Sequence, residues 1–242
     1  MHALFVFAHQ DDEIAMATRI RFLLGQGATV SCVFLTNGEG LGVASPIRDE
    51  ESRRVLTRLG VTRMHFLGSE HAIPDGALVE HLERALSLLE SRITERVDEI
   101  YCLAWEGGHA DHDASHLVAV TFASRHGILE RCYEMPLYQG RVLFQTLAPL
   151  RAGGPWTSRA IKVNEGLLVA RLCWVYTSQR RSWIGLLPTA LIRLVVMRRE
   201  STRRVDVARL RARPHEGRLF YERRFGVRWD DFERHARAFM RF

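Results

Sequence analysis

Two short polar stretches contain the residues best suited to chemistry, and the first reads HQDDE at residues 9–13. His9 and Asp12 are three residues apart, a spacing that places two side chains on one side of a helical turn, about 5–6 Å apart at Cβ. An imidazole and a carboxylate so placed can chelate one metal ion, whereas Asp11 lies off that line and stays unligated. Because acids are also favoured at a helix N-terminus, a helix N-cap cluster is the alternative for this stretch alone.

The second polar stretch reads EGGHADHDASH at residues 106–116 and contains three of the chain's 11 histidines. His109 and His112 repeat the spacing of three. A histidine from this stretch, added to His9 and Asp12, completes a set of two nitrogens and one oxygen with an open position, which is typical of a catalytic zinc site. Ordinary polar surface sequence is the alternative for this stretch alone, so the prediction depends on the two stretches meeting.

Such a site predicts amide hydrolysis. Zinc lowers the pKa of a bound water to about 7 and polarises a carbonyl group. Asp11 can take the proton of that water, and a histidine on the opposite side can protonate the leaving amine. Asp111 is the neighbouring carboxylate that would keep such a histidine charged.

Strand and helix signals alternate along the first half of the chain. The apolar or β-branched runs predict strands, and the residues at helical spacing predict helices. The predicted strands cover 3–8, 29–36, 63–67, 99–103 and 131–137, and the predicted helices cover 13–26, 49–59, 77–94 and 114–125. This order predicts an α/β fold, with a Rossmann-like, mostly parallel sheet flanked by helices and a less regular C-terminal extension. Because ligands lie beyond the carboxyl ends of such strands, we expect both polar stretches to face one crevice.

The composition favours one cytoplasmic domain. The 242 residues are 47% hydrophobic and 26% charged, which excludes a disordered chain. No apolar run reaches the length of about 18 residues that predicts a spanning helix, and the first residues resemble a strand rather than a signal peptide. We expect a single domain over 1–242, with a motif-bearing core at about 1–140 and a basic part at about 141–242. The four widely spaced cysteines are predicted to be buried, inert thiols.

Arginine is concentrated in the C-terminal half. Thirteen arginines stand against four acidic residues between Arg180 and Arg224, and Lys162 is the chain's only lysine. Such a face can attract nucleic acid or an anionic surface, or can simply be solvated. A non-catalytic binder of either kind is therefore the alternative function, although no nucleic-acid-binding signature accompanies the arginines. A dinucleotide-binding protein is disfavoured, because acids replace the glycine-rich loop after the first strand.

An apolar segment within this half predicts peripheral contact with a membrane. Residues 183–197 read WIGLLPTALIRLVVM and are flanked by pairs of arginines. About 14 apolar residues are too few to cross ~30 Å of hydrocarbon, but they can lie in the interface, anchored by Trp183 and the arginines. The segment 180–204 is therefore predicted to contact the inner face of a membrane, which favours a lipid-linked substrate. A buried core helix with arginines on its rim is the alternative.

The two polar stretches resemble the motifs of the PIG-L/LmbE-like family of zinc-dependent N-acetylglucosamine deacetylases. Members of that family carry AHPDDE after the first strand and HPDH after a later one. Here the motifs read AHQDDE from Ala8 and HADH from His109. The likeness extends through TNGEG at 36–40 and RDEE at 48–51, and it covers about residues 1–140.

The resemblance implies a role for each motif residue. It implies three zinc ligands: His9, Asp12 and His112. Asp11 matches the general base, and His109 matches the general acid or carbonyl polariser, with Asp111 orienting it. Arg48 matches a position that binds polar groups of the substrate. His116 lies outside the motif and is expected to be a helix residue or to act behind the ligands.

The implied cofactor is Zn²⁺, with another divalent transition metal as the alternative, and the implied substrate is an N-acetylated amino sugar. No nucleic-acid partner is expected. Both motif prolines are replaced, by Gln10 and Ala110. Because proline restricts a loop, their loss is expected to loosen the geometry without changing the class of reaction.

Overall fold

A computed structural model describes residues 1–40, 42–138, 146–149 and 153–240. Within these ranges, seven strands form one sheet in the order β3-β2-β1-β4-β5-β7-β6. The strands are β1 (His2–Phe7), β2 (Thr29–Phe34), β3 (Arg63–Phe66), β4 (Glu99–Leu103), β5 (Cys132–Met135), β6 (Thr157–Ala160) and β7 (Arg199–Arg204).

Helices cover both faces of this sheet. The α-helices of the described ranges are α1 (Glu13–Gly25), α2 (Ser45–Leu59), α3 (Leu67–Glu70), α4 (Leu82–Arg92), α5 (Ala110–Arg125), α6 (Val163–Cys173), α7 (Arg180–Leu191), α8 (Phe220–Arg224) and α9 (Trp229–Phe239). Short 3₁₀ turns occupy Leu78–His81, Leu129–Arg131 and Val207–Arg211, and a π-helical segment, Ile192–Val196, continues α7. In the part of the chain that the structure describes, no helix combines the length and hydrophobicity needed to cross a bilayer.

The first five strands run parallel, which confirms the expected α/β architecture. Strand β7 runs antiparallel to β5, and β6 runs antiparallel to β7, so the C-terminal half extends the same sheet. Strands β1 and β4 are neighbours in this sheet. Since both polar stretches follow these two strands, the parallel pairing brings them to the same edge.

The central strands are buried on both faces. In β1, Leu4 and Val6 pack in a cluster with α4, α5 and α9, whereas Phe5 and Phe7 pack in a second cluster with α1, α2 and α6. Successive strand residues point to opposite faces of a sheet, so an uninterrupted apolar strand supplies both clusters. This two-sided burial holds the carboxyl ends of β1 and β4 rigidly in place.

Three predicted helices differ from those observed. Helix α2 begins at Ser45, four residues before its predicted start, with Pro46 in its first turn. Helix α5 begins at Ala110, four residues before the predicted start, because the His109 side chain accepts a hydrogen bond from the Asp111 backbone N–H and caps the helix. The helix predicted at 77–94 divides into a 3₁₀ turn, Leu78–His81, followed by α4. Because α5 begins at Ala110, much of the second polar stretch forms the first two turns of a helix rather than a loop.

A buried ion pair joins the C-terminal half to the parallel strands. Glu134 of β5 lies opposite Arg203 of β7, and its Oε1 accepts a hydrogen bond from the arginine Nε. The two side chains are only 1% and 3% exposed. The other oxygen, Oε2, accepts from the Trp105 backbone N–H at 3.0 Å. The pair thus links β7 both to β5 and to the end of β4.

Arg203→Ala is expected to lower the free energy of unfolding by about 3 kcal/mol, because it leaves a buried carboxylate without its main partner. Arg204→Ala is the matched control, since Arg204 pairs with Glu130 and both side chains are largely exposed. This control should change the free energy of unfolding by less than ~1 kcal/mol. Urea denaturation measures both values, and equal losses in the two variants would contradict the prediction.

Candidate metal centre

Three predicted ligand residues meet where β1 and β4 end. His9 and Asp12 directly follow β1, and His112 lies in the first turn of α5. The Nδ1 of His9 lies 3.2 Å from the Nε2 of His112, which lies 3.1 Å from the Oδ1 of Asp12. All three side chains are buried, and their ligand atoms lie within 4.8 Å of one another.

This arrangement fits a divalent transition metal. Two nitrogens at zinc-ligand distance in a tetrahedral site would be about 3.3 Å apart, close to the 3.2 Å between the His9 and His112 nitrogens. The Oδ2 of Asp12 accepts hydrogen bonds from the backbone N–H groups of Ala8 and His9, which fixes the carboxylate. Burial raises the pKa of Asp12, but His112 and His9 outweigh it and lower the pKa to about 2. Two imidazoles and one carboxylate thus converge on a common point.

The opposite nitrogen of His9 contacts two carboxylates. Its Nε2 lies 3.1 Å from the Oδ2 of Asp111 and 3.2 Å from the Oδ1 of Asp75. Burial lowers the pKa of His9, but Asp75 and Asp111 outweigh it and raise the pKa well above its ordinary value. A histidine ligand usually donates its second N–H to a carboxylate in this way, which leaves the first nitrogen for the metal.

The position of Asp111 differs from the one that the resemblance implied. Its carboxylate accepts hydrogen bonds from the backbone N–H groups of Gly76 and Leu78, at 2.6 and 3.0 Å. Because this fixed carboxylate contacts the Nε2 of His9, it orients His9 rather than His109. The cause is the early start of α5, which places Asp111 in the first helical turn, facing the 3₁₀ turn that follows Gly76.

Asp75 was not predicted from the sequence. It lies in a Pro-Asp-Gly turn between α3 and the 3₁₀ turn, and its Oδ2 accepts a hydrogen bond from the Gly40 backbone N–H at 3.1 Å. Burial raises its pKa, but His9 outweighs that effect, and the pKa falls below its usual range. The only signal in the sequence was an acid in the loop beyond the third strand.

Asp75→Asn is expected to weaken metal affinity by about 10–100-fold, because it removes one of the two charges that orient His9. Competition with a chromophoric chelator measures this affinity. Asp98→Asn, at the opposite edge of the sheet before β4, is the control and should bind metal as the parent does. An unchanged affinity in Asp75→Asn would show that Asp111 alone orients the ligand.

Asp11, the predicted base, is held by an arginine and by an unusual backbone. Its φ is 114°, in the left-handed region that residues other than glycine rarely adopt. Its Oδ1 accepts from Nη2 of Arg48 at 3.1 Å, and the same guanidinium donates to the carbonyls of Gln10 and Gly38. Burial raises the pKa of Asp11 to about 6, although Arg48 opposes the shift. Such strain is found where surrounding contacts fix a functional residue.

These contacts bear on the prediction that Arg48 binds substrate. The side chain is only 4% exposed, and its hydrogen-bond donors are directed at Gln10, Asp11 and Gly38. In this structure Arg48 positions Asp11.

A second anchor of Asp11 comes from the C-terminal half and was also missed. The Asp11 backbone N–H donates to Oε2 of Glu13 at 3.0 Å, and Oε1 of Glu13 accepts a hydrogen bond from the Tyr176 hydroxyl. That hydroxyl also lies 2.7 Å from the Ser52 Oγ. Burial raises the pKa of Glu13 to about 8, although the Tyr176 hydrogen bond lowers it. The buried chain Ser52–Tyr176–Glu13 thus supports the strained turn.

Tyr176→Phe is expected to lower kcat roughly tenfold with little change in KM, because a small displacement of Asp11, the predicted base, would lower turnover before it weakened binding. It should also cost about 1–3 kcal/mol in unfolding free energy, since a buried oxygen of Glu13 loses its partner. Tyr101→Phe is the matched control, because that hydroxyl donates to Glu99 at the far end of β4. Steady-state kinetics and urea denaturation measure the two effects. A parent-like kcat in Tyr176→Phe would show that the hydrogen bonds from Ser52 through Tyr176 to Glu13 have a purely structural role.

His109 lies beside the three predicted ligands and is less buried than they are. Its ring centroid is 4.7 Å from that of His9 and 4.6 Å from that of the half-exposed Phe225. Burial and the neighbouring His9 lower the pKa of His109 to about 4, so the ring is neutral near pH 7. Its Nδ1 accepts from the Asp111 backbone N–H, which puts the proton of the neutral ring on Nε2. Of the two implied roles, this state favours the carbonyl polariser.

Two acidic residues close to the second motif accept hydrogen bonds from the backbone that forms one side of the site. Asp113 accepts hydrogen bonds from the backbone of Glu106 and Gly107, and Glu106 accepts from the backbone of Leu137 and Tyr138. The Tyr138 ring then lies edge-on to His112, with centroids 5.6 Å apart. Both acids stand in the EGGHADHD sequence, which is the signal that could have identified them.

The two proline replacements have separate structural outcomes. Gln10 is fully buried, and its Nε2 donates to Asp49 at 2.6 Å and to Ser69 at 3.2 Å, so side-chain hydrogen bonds restrain this loop. Ala110 is the first residue of α5, a position that favours proline but accepts alanine.

The third histidine of the second polar stretch and the four cysteines lie outside the candidate metal centre. His116 is fully buried, with its Nδ1 2.7 Å from the Leu103 carbonyl and 3.7 Å from Glu134. It is therefore a helix residue behind β4. All four cysteines are buried and free, which confirms that they are buried thiols.

Comparisons with known proteins identify a family and a fold. A family model described as GlcNAc-PI de-N-acetylase, PIG-L, matches residues 4–123. No curated protein matches the chain. The zinc-inhibited form of the teicoplanin deacetylase Orf2 superposes with a TM-score of 0.66 at 14% identity, covering 86% of this chain and 100% of that one.

Two further solved structures are similar. The N,N'-diacetylchitobiose deacetylase of Pyrococcus horikoshii gives a TM-score of 0.58 at 17% identity, with 84% and 82% of the two chains covered. The 4-carboxy-2-hydroxymuconate hydratase GalB of Pseudomonas putida gives 0.55 at 16% identity, with 85% and 96% covered. At these identities the likeness shows the fold, and this fold serves more than one reaction. The family match spans both polar motifs, and the chain belongs to the PIG-L family.

Proposed function

We propose that this protein is a metal-dependent hydrolase that removes an N-acyl group, an acetyl group as first candidate, from an amino-sugar substrate. The observation that carries the proposal is the convergence of His9 Nδ1, His112 Nε2 and the Asp12 carboxylate, with a separate carboxylate, Asp11, beside them. Family membership supports deacetylation, because the matching family model describes a de-N-acetylase.

Zn²⁺ is the proposed cofactor, with another divalent transition metal as the alternative, and His9, Asp12 and His112 would hold it. Bound there, such an ion would acidify a water molecule and polarise the substrate's carbonyl. Asp11 is not a ligand in this scheme. Its carboxylate takes the proton of the attacking water and delivers it to the leaving nitrogen, so that one amide and one water give one amine and one carboxylic acid.

His109 completes the proposed machinery from the open side of the site. With its proton on Nε2, the neutral ring donates a hydrogen bond to the carbonyl oxygen as negative charge develops there. Its partial exposure supports contact with substrate, whereas the three ligand side chains are more deeply buried. Arg48 and Glu13 act one step further back, through their hydrogen bonds to Asp11.

The proposal also concerns the group to which the amino sugar is attached. A lipid-linked sugar is the first candidate, and the protein would then work in the cytoplasm at the inner face of the membrane. Exposed apolar residues in the C-terminal half support this choice, among them Ile184, Ile192 and Val196. Free and nucleotide-linked sugars are the competing substrates in the test.

Nucleic-acid binding remains the weaker alternative. Several arginines of the C-terminal half are engaged in ion pairs with acids of the same chain. Examples are Arg159 with Glu200 and Arg213 with Glu222. Such pairing reduces the charge available to phosphates.

The test is the release of acetate and of free amine from a panel of free, nucleotide-linked and lipid-linked N-acetylated amino sugars. The metal-free protein and the protein reloaded with Zn²⁺ are assayed side by side. We expect equal amounts of acetate and amine from at least one substrate, and only after metal is restored. If the reloaded protein releases acetate from none of them, the proposed function is wrong.

A further inference from the structure

An exposed apolar stripe runs along α7 and the π-helical segment that follows it. Ile184, Pro188, Ile192 and Val196 are spaced four residues apart, and all four are exposed. Ile184 and Val196 are 61% and 74% exposed, the highest values among the exposed large hydrophobic residues of the described chain. At 1.5 Å per helical residue the stripe is about 18 Å long. A helix that presents such a row to water has an unpartnered face.

The other face of α7 anchors the segment to the domain. Trp183, Thr189 and Ala190 are buried, and the Thr189 hydroxyl donates to the Thr146 Oγ1 at 2.7 Å. This burial corrects the expectation that Trp183 is an interfacial anchor. The exposed tryptophan is Trp174, at the end of α6, where 53% of the residue is accessible.

The charge around the stripe has one sign. Residues 166–199 contain six arginines and no acidic residue. Arg180 and Arg181 stand before the stripe, and Arg198 and Arg199 follow it, all four exposed. None of these four forms an ion pair with any residue that the structure describes. They differ in this from Arg203 and the other paired arginines of this half, so their charge is available to an external anion.

We propose that this face, defined by the stripe and its four flanking arginines, docks onto an anionic phospholipid bilayer. An interfacial helix places its apolar face about 5–10 Å into the boundary of headgroups and acyl chains and its basic residues among the headgroups. Arginines at both ends of an 18 Å stripe match that requirement, because each one can reach the anionic surface while the helix lies in the membrane plane.

Charge favours a bilayer over a second copy of the chain. A two-fold dimer would place the same patch on both sides of the interface. Four unpaired arginines of one copy would then face the four of the other across a desolvated surface, and like charges so placed are destabilising. An anionic bilayer instead neutralises them.

The docking face is also connected to the candidate metal centre. Tyr176 lies between α6 and α7, and its hydroxyl donates to Glu13, which in turn accepts from the Asp11 backbone. Docking itself requires no catalysis, so it can be tested independently of the proposed function.

The experiment is sedimentation of the full chain with phosphatidylcholine vesicles, prepared with and without phosphatidylglycerol. We expect binding only to the anionic vesicles, weakening as salt is raised. Ile184→Glu/Val196→Glu should reduce binding about tenfold or more, and Arg180→Gln/Arg181→Gln should reduce it by a similar factor. Ile47→Glu is the matched control, because Ile47 is 54% exposed on α2, outside the stripe. This variant should bind as the parent does.

Three results would overturn the proposal. The parent protein could fail to sediment with anionic vesicles at low salt. The stripe variant could bind as tightly as Ile47→Glu, which would mean that general surface charge causes the binding. Sedimentation velocity could also detect a parent dimer that Ile184→Glu/Val196→Glu converts to a monomer, which would identify a second copy as the occupant. Circular dichroism of each variant verifies that the fold is retained.

Discussion

His112→Ala is expected to remove the metal and to reduce hydrolysis to near background. His112 supplies the nitrogen that faces both His9 Nδ1 and Asp12 Oδ1, at 3.2 and 3.1 Å. Without it, one nitrogen and one carboxylate remain, fewer than the three protein ligands of a catalytic zinc site. A metal that acts as a Lewis acid contributes several kcal/mol to the transition state, so its loss should cost about 10³-fold or more in kcat/KM. His9→Ala and Asp12→Ala should behave in the same way.

His109→Ala is the matched control for this prediction. His109 lies within the same cluster, and His9, His109 and Asp111 form a second group whose ligand atoms are close enough to share an ion. If the site uses His112, the His109 variant should retain about one metal ion per chain while losing turnover. Metal analysis after dialysis distinguishes the two groups. Metal lost from His109→Ala and kept by His112→Ala would assign the site to the second group.

The sequence was sufficient for the parts of the site that depend on local spacing. His9 and Asp12 are separated by one turn, and the residues between them also set the backbone, so their proximity follows from position in the chain. A histidine of the second stretch could be added because parallel strands end at the same edge of a sheet, and the resemblance implied that this histidine is His112. The fold was accessible for a similar reason: strands such as β2 and β4 are short and apolar, and helix α4 before β4 has its buried leucines at helical spacing.

The contacts that orient these residues could not be predicted from local spacing or from the order of strands. Asp75 approaches His9 from a turn 66 residues further along the chain, and Tyr176 reaches Glu13 across 163 residues. Nothing in the spacing of either residue indicates its partner, because such contacts depend on how α3, α6 and the sheet pack. The pairing of Asp111 with His9 was missed because it depends on where α5 begins, and helix ends are the least certain part of a sequence-based prediction.

The C-terminal half was the least predictable region for a different reason. Its strands β6 and β7 are rich in polar residues, including Arg203 and Glu200, so they lack the apolar pattern of a buried strand. They are stable in the sheet because buried ion pairs replace part of the apolar packing. The apolar segment 183–197 presented the opposite problem, since hydrophobicity alone does not tell which face of a helix is covered.

Asp11→Asn is expected to keep the metal but lower kcat by roughly 10²–10⁴-fold, the usual contribution of a general base. The amide keeps the size of the carboxylate and an oxygen for Arg48, and asparagine tolerates the left-handed backbone at φ 114° better than most residues. What it cannot do is accept a proton from water. Because Asp12 rather than Asp11 belongs to the candidate ligand set, the metal content should stay close to that of the parent. The distant control Asp98→Asn should keep both the metal content and the kcat of the parent. Turnover by Asp11→Asn at the parent's rate, with metal bound, would show that another group is the base. Loss of metal from this variant would instead make Asp11 a ligand.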